Sequence, residues 1–418
     1  MGKYFITGKK KIFGSINLPG SKNSALPILA ASILNSGESI IHNCPDILDT
    51  QTAMQILKYL GCKVQYKNHT VIINSSNLRR YIMPKNLVQK MRSSIIFMGS
   101  ILSRLKKIKI NYPGGCSLGN RPIDLHLNAL KQLGVKVFDD KENIICEAKN
   151  LKPRTIKLKF PSVGATQNII LASVFIKGTT KIINPAREPE ITDLQNFLKK
   201  MGADISGAGT DQIIINGVKK LCNNIEYKII PDRIVAGTFL LAAAITHGKL
   251  EIKNIIPYHL PLINFLQLGC EIKLSPHTIF LNAPNKILPI KKLITKPYPG
   301  FPTDLQAQFL SVLALADGKS FVQEKIFDAR NKHIPELIKA GAQIKILKNN
   351  SDFIIKGVKK FHGCNLISKD LRGGAALILA GLAAEGQTII HDQNFIPRGY
   401  ENIASDLNNL GAQINYVK

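Results

Sequence analysis

The amino-acid sequence predicts a mixed α/β (α+β) chain. It reads as two inside-out α/β barrels, each built from three βαβαββ units with helices inside and sheets outside. Three observations lead there. A helical pattern that stops at a glycine and runs into an alternating strand occurs six times, at Gly61, Gly134, Gly202, Gly269, Gly341 and Gly411, at intervals of 67 to 73 residues. Six units of that length account for all 418 residues. In phase with this repeat, each unit opens on a helix that is apolar and rich in small residues on nearly every side, as in AGTFLLAAAIT and GGAALILAGLAA. A helix of that kind must be surrounded by protein, so the units are expected to pack around their own first helices.

The elements follow in order within each unit. The first helices are expected to run 12 to 16 residues, beginning near Lys22, Arg92, Val163, Arg233, Asp304 and Arg372. Each turns into a short alternating strand at Gly37, Lys106-Lys107, Gly178, Gly248, Gly318 or Gly386. A second helix ends at the repeating glycine, and two further strands close the unit. Residues 206–211, SGAGTD, lie between two such strands and read as a hairpin turn. Neither GxxxxGK[ST] nor a strand-anchored GxGxxG is present. Residues 186–191 and 219–232 lie near the midpoint, where the chain is able to cross between domains.

Composition narrows the function classes. A 45% hydrophobic content over this length is enough for two sizeable cores. No run of eighteen uncharged apolar residues occurs, and the N-terminal stretch lacks a signal peptide's apolar segment. The expected location is therefore cytoplasmic, without membrane association. Seven cysteines, without a CxxC pair, argue against a disulfide framework and a structural zinc site. Cys62 and Cys270, each following Leu-Gly at a helix end, read as packed interior residues. No His, Cys, Asp and Glu cluster has compelling metal spacing. The formal charge of +28 attracts phosphates, but the lysines are dispersed and Trp is absent. A small anionic substrate fits that charge better than nucleic acid.

One stretch stands apart: residues 111–127, NYPGGCSLGNRPIDLHL. Pro113, Gly114, Gly115 and Gly119 permit tight turns and close backbone approach, and Pro122 suits an early helical position. Asp124 and His126 then fall near the positive start of a helix. Cys116, close in sequence to cationic Arg121 and to amides of the turns, has surroundings that favour a thiolate. The loop is longer than its equivalents in the other units, which predicts a movable lid with Cys116 at its tip. Polar groups also recur at the starts of the first helices: Lys22 and Asn23, Arg92, Ser162 with Val163 and Gly164, Asp304, and Arg372. Asp49, Arg121, Arg330 and Arg398 stand ahead of second helices. Unpaired amides at helix starts favour anions, and these groups would converge if two such domains faced one another. His333, in NKHIPELIKAG, reads as a structural histidine or a ligand contact with equal weight.

Several strings then carry a family likeness: LPGSKNSALPILAA from Leu18, PGGCSLGNRPIDLHL from Pro113, FPSVGATQNIILAS from Phe160, NPAREPEITDL from Asn184, PGFPTDLQAQF from Pro299, DLRGGAALILAGLAAEG from Asp370 and RGYENIASDLNNLGAQI from Arg398. End to end and in order, the chain resembles the enolpyruvyl transferases that act on UDP-N-acetylglucosamine. The resemblance implies two domains, residues 1–21 with 230–418 and residues 22–229. Each would have three units about an approximate threefold axis, with the active site in the cleft between them. It implies transfer of the enolpyruvyl group of phosphoenolpyruvate to the 3'-hydroxyl of UDP-N-acetylglucosamine. That reaction proceeds by addition and elimination and opens peptidoglycan precursor synthesis. No metal or organic cofactor is implied, and the chain would be a monomer or weak homo-oligomer.

Residue by residue, the resemblance implies that Lys22, Asn23, Arg92, Arg121 and Arg398 hold phosphoenolpyruvate, the arginines through bidentate anion contacts. Cys116 matches the loop cysteine that adds to phosphoenolpyruvate, assists acid catalysis or product release, and is alkylated by fosfomycin. Asp304 would be the base near the sugar hydroxyl. UDP-N-acetylglucosamine would meet Arg92, Arg121, Pro122, Ile123, Asp124, Leu125, Ser162, Val163, Gly164, Asp304 and Ile326, with Arg330, Asp370 and Arg372 in support. Two departures stand out: Leu48 occupies a position where many relatives carry a lysine reaching into the site, and Phe160 one where some place a nucleotide-contacting lysine. The nearest alternative is the sister transferase acting on shikimate 3-phosphate, whose pattern lacks the GGCSLGNRPIDLH loop. A second is a phosphate-rich polymer binder that reuses the fold without turnover.

Overall fold

The computed structural model describes residues 2–114, 123–140, 142–221 and 224–418. These form two compact units, one of residues 2–18 and 231–418, the other of residues from 19 to 230. In the first unit the helices Arg233–Ile245, Gln306–Leu313 and Leu371–Ala383 form the centre. Every residue of all three is buried. In the other unit Lys22–Ala31, Phe97–Leu105 and Val163–Ser173 play the same part. Strands such as Glu38–His42 alternate buried and half-buried residues, so each sheet turns one face inward. Each fully buried Ile or Leu contributes about 1.5–3 kcal/mol, which makes the helix-centred core the dominant stabilising feature.

Two of the first helices, Arg233–Ile245 and Leu371–Ala383, reach 13 residues as expected, whereas the other four are shorter than the 12 to 16 predicted, spanning 8 to 11. Part of the apolar pattern winds instead into tighter 3-10 turns at Ser32–Leu34, Arg92–Ile96 and Thr303–Leu305. All six repeat glycines have positive φ, from 88° to 111°, and cap their helices as the pattern predicts. Cys62 and Cys270 are packed interior residues, and burial pushes both thiols up to about 12. Residues 207–211 turn between the antiparallel strands Asp204–Ser206 and Gln212–Asn216, as expected for a hairpin. Among the described residues no helix is long and apolar enough to cross a membrane.

The sheets depart from the simple unit order in two ways. Strand Phe13–Asn17 precedes the Lys22–Ala31 helix but pairs in parallel with Lys249–Lys253. Strand Asn224–Lys228 precedes the Arg233–Ile245 helix but pairs in parallel with Glu38–His42. The chain thus crosses between units after Leu18 and after Ile230, leaving the leading strand behind each time. Gly2–Thr7 completes the last sheet by lying between Gln387–Asp392 and Gln413–Val417. In the second unit of the repeat the leading strand shrinks to one bridge, Ile82 to Lys109, and its sheet has three strands. Pro84, two residues on, caps the short Lys85–Val88 helix, which takes the chain out of the sheet.

Candidate active site

In the unit of residues 2–18 and 231–418, Asp304 is the middle residue of the Thr303–Leu305 turn. Its carboxylate is gripped from two sides. Arg330 Nη1 donates to Oδ1 at 2.8 Å and Arg372 Nη2 donates to Oδ2 at 2.8 Å. The Arg330 Nη1 also donates to the Thr303 carbonyl at 2.6 Å, and the two guanidiniums are almost fully buried. Burial pushes the Asp304 carboxyl up, but Arg372 and Arg330 overrule it and hold it well below the usual carboxylate range. In this arrangement Asp304 is an ionised acceptor with low proton affinity.

Neighbouring residues explain how the grip is aimed. Asp370 caps the Leu371–Ala383 helix, its Oδ1 accepting from the Arg372 and Gly373 amides at 3.0 and 2.9 Å, which fixes the backbone that carries Arg372. His333 stands at the start of the Ile334–Lys339 helix, 2% exposed, and neither ring nitrogen has a hydrogen-bond partner among the described residues. Burial lowers it to about 4, opposed by Asp370 and helped by Arg330, so it is a neutral interior histidine. Sequence reasoning missed Glu324. Its buried carboxylate accepts from Thr295 Oγ1 at 2.9 Å, Thr303 Oγ1 at 2.9 Å and the Ile326 and Phe327 amides at 2.8 and 3.2 Å. It therefore ties the Asp304 turn to Ile326, and no spacing in the chain signalled it. Arg398 ends the Ile396–Arg398 turn and is half-buried.

In the other unit, Lys22 opens the Lys22–Ala31 helix with Asn23 beside it. The Lys22 Nζ meets Asp49 Oδ2 at 2.8 Å, and both side chains are buried. Asp49 is a partner the sequence reading did not assign. Leu48 precedes it as the first residue of the Leu48–Leu60 helix and is 37% exposed, while Phe160 is likewise exposed. Arg92 begins the Arg92–Ile96 turn and donates to the Pro113 carbonyl at 3.4 Å. Ser162 caps the Val163–Ser173 helix by accepting from the Ala165 amide at 3.4 Å, with Val163 and Gly164 half-buried at its start. Ile123 is buried ahead of the Asp124–Gln132 helix, where Asp124 is exposed and Leu125 half-buried. Cys116, Arg121 and Pro122 lie outside the described residues. Among the described residues no three His, Cys, Asp or Glu side chains group so as to hold a metal ion.

The predicted residues thus form local sets. Asp304, Arg330, Arg372 and Asp370 are one. Lys22 with Asp49 is another, and Ser162 to Gly164 a third. A family model described as EPSP synthase (3-phosphoshikimate 1-carboxyvinyltransferase) matches residues 6–407.

The chain belongs to this carboxyvinyltransferase family.

Within the family, it is 48% identical over 416 residues to "UDP-N-acetylglucosamine 1-carboxyvinyltransferase 2" of Caldanaerobacter subterraneus subsp. tengcongensis, covering 99% of each chain. It is 46% identical over 420 residues to the UDP-N-acetylglucosamine 1-carboxyvinyltransferase of Endomicrobium trichonymphae, covering 100% of each. Among solved structures, the enolpyruvyl transferase NikO from Streptomyces tendae matches with a TM-score of 0.90 at 25% identity, over 100% of this chain and 99% of that one. The EPSP synthase of Acinetobacter baumannii matches with a TM-score of 0.76 at 18% identity over 100% of both, which speaks to the fold alone. The inside-out α/β architecture expected from the repeat is therefore the family's fold.

Proposed function

We propose that this chain transfers the enolpyruvyl group of phosphoenolpyruvate to the 3'-hydroxyl of UDP-N-acetylglucosamine, releasing phosphate, in the first committed step of peptidoglycan precursor synthesis. The observation that carries the reading is identity of 46–48% with UDP-N-acetylglucosamine 1-carboxyvinyltransferases over essentially the whole chain. In the addition step the sugar oxygen bonds to C2 of phosphoenolpyruvate while C3 gains a proton and the hydroxyl loses one. In the elimination step C3 gives up a proton, the bond from C2 to the phosphate oxygen breaks, and the double bond returns. The reading calls on neither metal nor organic cofactor.

Lys22, Asn23, Arg92, Arg121 and Arg398 are assigned to phosphoenolpyruvate, whose phosphate and carboxylate need concentrated positive charge. Cys116 is assigned to proton delivery or product release. Ile123 to Leu125, Ser162 to Gly164, Ile326 and Pro122 are assigned to the nucleotide sugar. Asp304 is assigned to the sugar hydroxyl. Its double arginine grip makes it a strong hydrogen-bond acceptor that orients the hydroxyl, and it becomes a base only as a guanidinium turns to substrate. The reading divides the chain into residues 1–21 with 230–418 and residues 22–229. It treats the enzyme as a cytoplasmic monomer or weak homo-oligomer.

The test is phosphate release from phosphoenolpyruvate with UDP-N-acetylglucosamine or shikimate 3-phosphate as acceptor. Release with the nucleotide sugar alone is expected; release with shikimate 3-phosphate alone, or with neither, overturns the reading. Cys116→Ser is expected to abolish covalent fosfomycin labelling, and labelling elsewhere in the intact chain refutes that assignment.

A further inference from the structure

Asn168 lies within the Val163–Ser173 helix, one turn beyond Gly164, and is fully buried. Its amide is engaged at both ends and cannot be turned over. Oδ1 accepts from the Gly99 amide at 2.7 Å, while Nδ2 donates to the Ile95 carbonyl at 3.0 Å and meets His126 Nδ1 at 2.8 Å. A flipped amide would set its NH2 against the Gly99 N–H and its oxygen against the Ile95 carbonyl, losing both bonds. The backbone on either side therefore dictates that an N–H points at His126. Nδ1 of His126 must accept it, and the ring proton resides on Nε2.

The far edge of the same imidazole lies on Gly164. A Cβ built there would sit 2.7 Å from His126 Cε1 and 3.1 Å from Nε2, so only glycine admits the ring. Nε2 is thereby held beside the first turn of the Val163–Ser173 helix, where Ser162 caps and the amides of the opening turn point outward.

We propose that Asn168 is a positioning residue: it holds His126 as the neutral Nε2–H tautomer, so that the ring presents a hydrogen-bond donor at the Ser162–Gly164 turn that reads the nucleotide. The proposal rests on the assignment of that turn to UDP-N-acetylglucosamine. A donor there serves an anionic diphosphate; the other tautomer would turn a lone pair toward the same oxygens. Fixing the proton beforehand removes the cost of reorienting the ring when substrate arrives.

The experiment combines a spectrum with a binding measurement. Long-range 1H–15N correlation on ring-labelled intact protein, with His126→Gln to assign the signal, reads the tautomer directly without altering Asn168. The Nε2–H pattern is expected; the Nδ1–H pattern overturns the proposal. In Asn168→Asp a carboxylate accepts from Nδ1, and the spectrum should move to an Nδ1-protonated ring. The dissociation constant for UDP-N-acetylglucosamine should rise about tenfold, the scale of one hydrogen bond to a charged group, with the constant for phosphoenolpyruvate within about twofold of wild type. Asn168→Leu, which removes the amide without offering an acceptor, should weaken nucleotide binding similarly. Unchanged nucleotide affinity in whichever of the two variants folds overturns the proposal. Wild-type protein that binds no UDP-N-acetylglucosamine overturns the substrate reading instead, and the tautomer is still decided by the spectrum.

Discussion

Replacing Arg372 by Met tests the electrostatic account of Asp304 most directly. The substitution keeps a long apolar side chain but removes the Nη2 donor that lies 2.8 Å from Asp304 Oδ2. A hydrogen bond between charged groups is worth about 1.5–3 kcal/mol, and one pH unit of proton affinity equals roughly 1.4 kcal/mol. With Arg330 still in place and burial still pushing upward, the Asp304 carboxyl should rise by about one to two units. The sign for stability follows from the depressed native value. The grip stabilises the fold above the unfolded pKa, and the contribution is lost as pH falls through the folded one. At pH 7 it is fully present, so the variant should be less stable there by about 2 kcal/mol, discounted because Asp304 is 24% exposed and keeps one arginine. Carboxyl 13C titration of Asp-labelled protein, assigned with Asp304→Asn, reads the first quantity, and the urea midpoint at pH 7 gives the direction of the second. An Asp304 signal that titrates alike in variant and wild type refutes the idea that Arg372 sets its proton affinity.

Three further outcomes are expected. Asp193 accepts from Tyr227 Oη at 2.5 Å and is raised to about 6, chiefly by burial; below the unfolded pKa this proton uptake stabilises the fold, and the gain disappears as pH rises through 6. Asp193→Asn should therefore gain on wild type by up to about 2–3 kcal/mol between pH 4 and pH 8, and a stability difference independent of pH would contradict this. Gly164→Ala forces its Cβ against the His126 ring 2.7 Å away; affinity for UDP-N-acetylglucosamine should fall about tenfold, and calorimetry finding no loss would show that the ring moves freely. Leu48→Lys places an ammonium on an exposed helix start one residue from Asp49 and should tighten phosphoenolpyruvate binding about three- to tenfold, on the scale of roughly 1 kcal/mol for one solvated charge pair; unchanged affinity would show the departure to be silent.

Many of the candidate residues could be picked out along the chain because they stand at helix starts. Lys22, Ser162, Asp304 and Arg372 all occupy such starts or the turns before them, and each stands at an equivalent point of the repeat. What could not be read were partners distant in sequence. Glu324 binds Thr295 and Thr303 across 29 and 21 residues, Asp49 pairs with Lys22, and Asn168 reaches back 42 residues to His126. Asp49 is marked only as a charged group ahead of a second helix, with nothing to name Lys22 as its partner, and Glu324 and Asn168 have no local pattern that distinguishes them from an ordinary polar residue on a helix or strand.

The sequence alone determined the six-unit repeat, the six glycine helix caps and the burial of the first helices. These follow from short-range causes: periodicity, positive φ and the need of an all-apolar helix for surroundings. Only the tertiary structure decided which strand each sheet borrows, as when Phe13–Asn17 pairs with Lys249–Lys253 rather than with its own unit. It alone also brought Arg330 and Arg372 onto Asp304 and so lowered its proton affinity. Strand partnership and proton affinity depend on groups brought close in space from far along the chain, and alternation or spacing within one segment carries no information about them.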